Sequence, residues 1–200
     1  MTNTTKKFDL CVIGAGPGGY VSAIRASQLG LKVAIIEANH LGGICLNWGC
    51  IPTKALLRSS EINHLLHNLN DFGFDAKEIK FDFAKIIERS RTVSKRLSTG
   101  ISGLMKKNKI EVFDGFAKFI NNKKISISKD QKEIGEIEAS YFIIATGARA
   151  RIIPNLEPDG ENIWTYREAM TAKALPKSLI VIGSGAIGSE FASFYRNMGS

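Results

Sequence analysis

Two cysteines, Cys45 and Cys50, lie five positions apart in a glycine-rich segment. On a regular helix this spacing separates the Cα atoms by roughly 8 to 9 Å, whereas a disulfide needs less than about 7 Å. Gly49 and Pro52 can supply the distortion that closure requires, because glycine is flexible and proline interrupts the hydrogen-bond ladder. A place at the start of a helix also favours the thiolate that dithiol exchange needs. The pair is a candidate redox disulfide, and two buried thiols are the alternative.

The third cysteine, Cys11, falls inside an apolar run and is expected in the core. No histidine or further cysteine stands at ligand spacing from Cys45 and Cys50, so no metal site is predicted.

Residues 14–19 read GAGPGG and match G-x-G-x-x-G through Gly14, Gly16 and Gly19. The first glycine permits a tight turn, the second lets backbone approach a pyrophosphate, and the third lets helix and strand pack closely. The N-terminus of the following helix offers N–H groups to phosphates. Glu37 ends the next apolar run, where an acid can accept hydrogen bonds from an adenosine ribose. These features predict a dinucleotide site without distinguishing FAD from NAD.

A second motif of the same form contains Gly183, Gly185 and Gly188. The residue that reads the ribose is expected near position 206, beyond Ser200, by about the offset of the first motif. The choice between NAD and NADP therefore stays open.

The elements that must position these residues follow from hydrophobic periodicity. A strand over 8–13, a helix over 17–29 and a strand over 32–37 form a βαβ unit with parallel strands. Later helices are predicted at 53–68 and 81–109. Short β-like runs then suggest an antiparallel meander that returns into the parallel sheet, at 110–113, 116–120, 124–128, 133–139 and 141–145. Residues 149–177 are predicted to be a connection, and a strand at 179–182, a glycine turn and a helix at 189–198 follow.

The helix predicted at 81–109 carries apolar residues at helical spacing and many basic residues. Its buried face is predicted to contain Phe83, Ile86, Val93, Leu97, Ile101 and Leu104, with the basic side chains facing solvent.

The composition narrows the function classes. Lysine and arginine exceed aspartate and glutamate by 27 to 19, for a net charge of +8, yet aromatic residues do not interleave with the basic ones as nucleic-acid stacking requires. No apolar run approaches the roughly 18 residues of a membrane span. Three cysteines and a polar start at Met1 to Asp9 favour a cytoplasmic protein, with neither nucleic acid nor membrane as partner.

The sequence CLNWGCIPTK at 45–54, with the motifs at 14–19 and 183–190, resembles the pyridine nucleotide-disulfide oxidoreductases. Leu46 and the residues IPTK at 51–54 resemble the dihydrolipoamide dehydrogenase branch. The resemblance covers nearly the whole chain. It implies an α/β fold: a Rossmann-like FAD-binding domain over 1–148, with a parallel sheet plus an antiparallel meander, then a connection and the start of a Rossmann-like NAD-binding domain over 149–200.

The resemblance also implies roles for single residues. Cys45 is expected to exchange with the substrate dithiol and Cys50 to contact the flavin, while Lys54 stabilises charge on the reduced ring and Glu190 pairs with Lys54. The residues expected at FAD are Gly14, Gly16, Gly18, Gly19, Glu37, Gly43, Lys54, Gly115, Thr146 and Gly147. Those expected at NAD are Gly183, Gly185 and Gly188.

The implied reaction moves electrons from dihydrolipoamide through Cys45 and Cys50 to FAD and then to NAD⁺. The partners are lipoyl groups of 2-oxo acid dehydrogenase complexes or of the glycine cleavage system, and the intact enzyme is expected to be a homodimer. The chain ends inside the second βαβ unit, so a truncated chain with negligible turnover is expected. Two alternatives are an NADPH-dependent reductase similar to glutathione reductase and a non-catalytic FAD-binding module.

Overall fold

The computed structural model describes residues 5–200, which form two compact units. The first comprises the described residues up to Asn47 together with Arg96–Arg149, and the second comprises Trp48–Lys95 and Ala150–Ser200. The domain boundary predicted between residues 148 and 149 stays a prediction. The helices are α1 (Pro17–Gln28), α2 (Gly43–Trp48), α3 (Cys50–His67), α4 (Phe83–Lys107), α5 (Tyr166–Met170) and α6 (Ala186–Met198), with a 3₁₀ turn at Leu69–Phe72.

The first unit is built on one six-stranded sheet. Its strands are β1 (Lys6–Ile13), β2 (Val33–Glu37), β3 (Glu111–Asp114), β4 (Phe116–Asn121), β5 (Lys124–Lys129) and β6 (Lys132–Ile144), in the order β3-β2-β1-β6-β5-β4. The first four strands of that order are parallel, while β6, β5 and β4 pair antiparallel. The predicted α/β fold, with its βαβ unit and its meander, is confirmed.

Strand β6 is continuous, whereas the sequence predicted two runs that end at 139 and 145. Ile137 and Glu138 belong to both ladders, since each pairs with β5 on one side and with β1 on the other. The antiparallel and parallel ladders therefore overlap along β6, and the strand continues through Ser140 although Ser140 has no partner in the β1 register.

The core of the first unit lies on the sheet and includes Phe8, Cys11, Ala34, Ile36, Ile125, Ile127, Ile137 and Ala139. Cys11 has no exposed surface, as predicted, and burial raises the pKa of its thiol to about 12. This folded-state pKa lies above the ordinary value of 9.0, so folding favours the protonated thiol. The contribution of the buried Cys11 thiol to the free energy of unfolding is therefore complete below pH 9 and is lost as the pH rises towards 12.

The second unit is helical, and α3 packs against α6. Its core contains Leu56, Met170, Phe194 and Tyr195, all at most 1% exposed. The buried Tyr195 hydroxyl donates to the Ala169 carbonyl at 2.6 Å. Asn63 Nδ2 donates to the Asn197 carbonyl at 2.8 Å, which ties α3 to the end of α6.

The buried face of α4 differs from the prediction. Leu97 and Leu104 are 42% and 40% exposed, whereas Ser90 and Ser94 are at most 1% exposed. Serine is small enough to allow close approach of neighbouring elements. The buried Ser90 hydroxyl has a hydrogen-bond acceptor within the helix, because its Oγ donates to the Ile87 carbonyl at 2.7 Å. The predicted apolar face was therefore wrong at the two leucines. None of the helices between residues 5 and 200 combines the length and the apolar content that crossing a membrane requires.

The predicted strand at 179–182 is absent from the described chain, and this prediction was wrong. All six strands found in residues 5–200 belong to the sheet of the first unit. A strand needs a hydrogen-bonded neighbour, and apolar composition cannot replace one. Ile180 and Ile182 are accordingly 88% and 65% exposed.

Candidate nucleotide and thiol site

The glycine turn after β1 is closed so tightly that side chains are excluded. Gly14 has φ +97°, and a Cβ there would lie 2.3 Å from the Ala145 carbonyl oxygen. A Cβ on Gly19 would lie 1.8 Å from the Gly14 carbonyl oxygen. Gly18, by contrast, has room, since its nearest neighbour would be Ala145 Cβ at 4.0 Å. Gly14 and Gly19 are thus required by packing alone.

Several predicted cofactor residues meet at the carboxyl edge of the parallel strands. The amide of Gly14 donates to the Ile36 carbonyl and that of Ala145 to the Ile13 carbonyl, both at 2.8 Å. The amide of Gly115 donates to the Glu37 carbonyl at 2.9 Å. The structure therefore brings the turn at 14–19, Gly115 and the start of the 145–147 segment to one edge, where open α/β sheets bind ligands.

Gly43 approaches this turn backbone to backbone. The amide of Gly42 donates to the Ala15 carbonyl at 2.8 Å, and a Cβ on Gly43, whose φ is +58°, would lie 2.7 Å from Gly16 Cα. The N-terminus of α2 is thereby fixed beside the N-terminus of α1, so both helix ends can offer N–H groups to one anionic ligand.

The Glu37 carboxylate is held by two backbone amides. Oε2 accepts from Ala15 N and Oε1 from Asn39 N, each at 2.8 Å. A carboxylate has about four acceptor positions, so two remain for ribose hydroxyls. Glu37 therefore fits the role of an acceptor for the adenosine half of a dinucleotide.

The two cysteines of the motif lie on different helices. Cys45 is half-buried in α2, and Cys50 is exposed as the first residue of α3. The helices are separated at Gly49, with φ −147° and ψ −122°, which confirms the predicted interruption there. Pro52 interrupts nothing, because it lies in the first turn of α3, where backbone N–H groups have no intrahelical acceptor. The distinct roles assigned to the two thiols stay predictions.

Asn47, between the cysteines, was not singled out from the sequence, yet it anchors α2. Its Nδ2 donates to the carbonyls of Leu41 and Gly43 at 3.0 and 2.9 Å, and its Oδ1 accepts from Ser98 Oγ at 2.8 Å. The side chain is only 9% exposed. A lone amide between two cysteines was the available signal, but its partner on α4 is 51 residues away.

Lys54 on α3 and Glu190 on α6 form an ion pair, so the structure brings together these two predicted residues. The Lys54 side chain is 61% exposed and the Glu190 side chain 27%. The part of this pair in the chemistry stays a prediction. The pair is expected to add little to the stability of the fold, since exposed ion pairs contribute little to the free energy of unfolding.

We expect Lys54→Gln, Glu190→Gln and the double variant each to change the free energy of unfolding by less than about 1 kcal/mol. Urea unfolding of the four proteins gives the coupling energy directly. The Arg58 and Glu61 pair on α3, with side chains 58% and 57% exposed, is the matched control. A coupling of about 3 kcal/mol or more would identify a buried structural pair instead.

The second glycine turn repeats the local geometry of the first. A Cβ on Gly188 would lie 2.4 Å from the Gly183 carbonyl oxygen and 3.3 Å from Val181 Cγ1, and the Gly19 position meets the Gly14 oxygen and Val12 Cγ1 in the same way. Both helices begin after an extended glycine, Gly16 with φ −69° and Gly185 with φ −70°.

The surroundings of the two turns differ. Added Cβ atoms on Gly183 and Gly185 would meet nothing within 4 Å, whereas the Gly14 position is closed by Ala145. The helix start and the tight turn are therefore formed at the second motif, but the strand edge that completes the first site has no counterpart in the described residues. Those residues also contain no group of three histidine, cysteine, aspartate or glutamate side chains placed to hold a metal ion.

Comparisons with known proteins agree with this geometry. The family model described as pyridine nucleotide-disulphide oxidoreductase matches residues 8–200. A dihydrolipoyl dehydrogenase of Zymomonas mobilis is 54% identical over 96% of the chain and 41% of the relative, and one of Rhizobium etli is 54% identical over 97% and 44%. The chain thus spans about two fifths of the length of the curated relatives that it matches.

Solved structures give the same result for the fold. LpdA from Mycobacterium tuberculosis superimposes with a TM-score of 0.86 at 29% identity, over 98% of this chain and 43% of that one. The HOCl-induced flavoprotein disulfide reductase RclA from Escherichia coli, as its Cu(II) complex, gives a TM-score of 0.82 at 30% identity, over 98% and 41%.

Proposed function

The chain belongs to the pyridine nucleotide-disulphide oxidoreductase family, and from this premise we propose that it carries the FAD-binding and dithiol machinery of a dihydrolipoyl dehydrogenase. The family implies FAD and a nicotinamide nucleotide as cofactors in general. The proposed reaction converts dihydrolipoamide and NAD⁺ to lipoamide, NADH and a proton.

The residues proposed to hold FAD fit that cofactor. The turn at 14–19 and the N-terminus of α2 offer backbone N–H groups to the pyrophosphate, and Gly18 and Gly43 carry no side chain that would obstruct it. Glu37 keeps acceptor positions for the ribose, Gly115 lies at the same sheet edge, and we propose that Thr146 and Gly147, which follow Ala145 there, also face the cofactor. FAD supplies a two-electron acceptor between the dithiol and the nicotinamide.

The thiol step is a pair of exchanges that conserves atoms and electrons. One thiolate of dihydrolipoamide attacks Sγ of Cys45 in the Cys45–Cys50 disulfide and releases the Cys50 thiolate. The second thiolate of the substrate then attacks the substrate sulfur that is bonded to Cys45. This closes the lipoamide disulfide and releases the Cys45 thiolate. Lys54 is paired with Glu190, and we propose that its positive charge would stabilise the negative charge on the reduced flavin ring.

The second motif is proposed to receive NAD through Gly183, Gly185 and Gly188. Its support is the formed turn and the start of α6, which can offer N–H groups to a pyrophosphate as is proposed for the first motif. Lipoyl groups of 2-oxo acid dehydrogenase complexes or of the glycine cleavage system, a homodimeric intact enzyme and a cytoplasmic setting belong to the same proposal. The dihydrolipoyl dehydrogenase relatives support the lipoyl partners.

One observation carries the proposal: two cysteines flank a helix interruption, in a chain whose glycine turn is closed against the sheet edge. The test is the visible absorption spectrum of the chain after incubation with excess FAD, recorded anaerobically before and after dihydrolipoamide. We expect a bound-flavin spectrum that gains a long-wavelength band on reduction, and none in Cys50→Ser. A chain that retains no flavin would refute the cofactor assignment.

The similarity to RclA favours a second candidate, a disulfide reductase that runs in the opposite direction. Assays of an intact relative containing these residues, with lipoamide and NADH against glutathione disulfide and NADPH, separate the two. Loss of all dithiol reactivity with FAD still bound would instead indicate a non-catalytic flavin module.

A further inference from the structure

Trp48 lies between the two thiols of the motif, three residues after Cys45 and two before Cys50. Two guanidinium groups share its indole ring. The Cζ of Arg91 lies over the ring at 4.4 Å from its centroid, and that of Arg167 lies at 4.9 Å. Both distances fall within the roughly 6 Å limit of a cation–π interaction, for which tryptophan is the best acceptor. Packing against two cations restricts the position of the Trp48 ring within this segment.

Each arginine is itself held in place. Arg91 extends from α4, and its Nη1 approaches the sulfur of Met170, which is fully buried, at 3.2 Å. Burial lowers the pKa of Arg91, but a guanidinium remains charged at neutral pH. Arg167 extends from α5, which begins at the Thr165 and Glu168 capping box. The two cations therefore reach Trp48 from separate, defined helices.

The indole also packs on the core of the second unit, beside the cluster that contains Leu56, Phe194 and Tyr195. Its backbone leads directly into Gly49 and the first turn of α3. Fixing the Trp48 ring therefore restricts the backbone at 48–50, which glycine alone would leave mobile. The backbone of Cys50 lies within this restricted segment.

We propose that Trp48, held by Arg91 and Arg167, is a positioning residue that makes the Cys45–Cys50 disulfide easier to close. A disulfide closes at a cost in backbone entropy, and a segment ordered in advance loses less of it. This inference rests on the proposed function, because it takes the two thiols as a redox pair. Neither cation contacts substrate or cofactor in this role.

The test is the equilibrium of the chain with glutathione. The dithiol reduces one glutathione disulfide to two glutathiones, and the two cysteine sulfurs become joined. Acid quenching, alkylation and mass spectrometry give the oxidised fraction at each glutathione ratio. We expect Trp48→Ala to lower the equilibrium constant about tenfold, the order expected when one residue's backbone becomes mobile, which corresponds to about 30 mV.

Companion variants separate positioning from folding. Trp48→Phe keeps an aromatic face and should stay within about threefold of the parent, and Arg167→Gln, on an exposed side chain, should lower the constant about twofold to threefold. Trp164→Phe alters the other tryptophan on the same cluster and should have no effect. Circular dichroism and thermal melting establish that each variant is folded.

Fluorescence gives an independent readout, because Trp164→Phe leaves Trp48 as the only tryptophan. Acrylamide quenching of Trp48 should be the same in the dithiol and disulfide forms, and greater quenching after oxidation would overturn the inference. A folded Trp48→Ala chain that oxidises like the parent would also overturn it, with the proposed function intact. A parent chain that forms no disulfide at any glutathione ratio would overturn both.

Discussion

Cys50→Ser is expected to let Cys45 form a mixed disulfide with lipoamide that alkylation can capture. The serine hydroxyl cannot displace the bound substrate sulfur, so the mixed disulfide can be resolved only by the second substrate thiol, and alkylation of that thiol blocks its closure. Incubation with lipoamide, alkylation of the remaining thiols and mass spectrometry identify the adduct and its position. In the parent chain the same treatment should leave a Cys45–Cys50 disulfide and no adduct.

Cys45→Ser tests the order of the two thiols. It should form no stable adduct if Cys45 is the exchanging thiol, whereas an adduct on Cys50 would reverse the assigned roles. The reversal is a real alternative outcome, because Cys50 is the more exposed of the two in the structure. Cys11→Ala is the matched control and should behave as the parent, since a buried thiol with a pKa of about 12 holds almost no thiolate at pH 8.

Gly19→Ala is expected to lower the free energy of unfolding by about 2 to 3 kcal/mol, the upper range for overpacking. The new Cβ would lie 1.8 Å from the Gly14 carbonyl oxygen, so backbone must move, and the turn that receives the pyrophosphate opens with it. Urea unfolding measures the loss, and FAD retention should fall in parallel.

Gly18→Ala, one residue earlier on α1, is the control for stability. Its Cβ finds ordinary contact at 4.0 Å, and alanine favours a helix over glycine by about 1 kcal/mol, so this variant should unfold at equal or higher urea concentration. Gly188→Ala should cost less than Gly19→Ala, because a Cβ added at Gly183 would meet nothing within 4 Å, so that turn has more room to relax than the turn at Gly14. Equal stability of Gly18→Ala and Gly19→Ala would contradict the requirement for glycine at 19.

The sequence predicted the first βαβ unit correctly because independent signals agreed: an apolar run, a glycine turn, helical spacing and a terminal acid at Glu37. Each of these is local, and each remains satisfied in the fold. The cysteine motif was informative for a similar reason, since the interruption at Gly49 is a property of that residue and its neighbours.

The errors concern features that depend on distant partners. The apolar run at 179–182 finds no neighbouring strand in the described chain, and α4 buries Ser90 and Ser94 in preference to Leu97 and Leu104. Hydrophobic periodicity cannot predict that a helix buries small polar side chains where neighbouring elements approach it closely. Nor can it predict the hydrogen bond between Asn47 and Ser98, or the cation–π contacts of Arg91 and Arg167 with Trp48.

The position of β1 in the sheet has a consequence for how the chain is made. β1 pairs with β2 on one edge and with β6 on the other, and β6 is translated last among the six strands. A nascent chain leaving the ribosome can therefore form the βαβ unit early, yet it keeps an unpaired, apolar strand edge until residues 137–144 have emerged. Such edges invite pairing with other chains. Until β6 has been synthesised, the strand that leads into the glycine turn is therefore also the one most open to pairing with other chains.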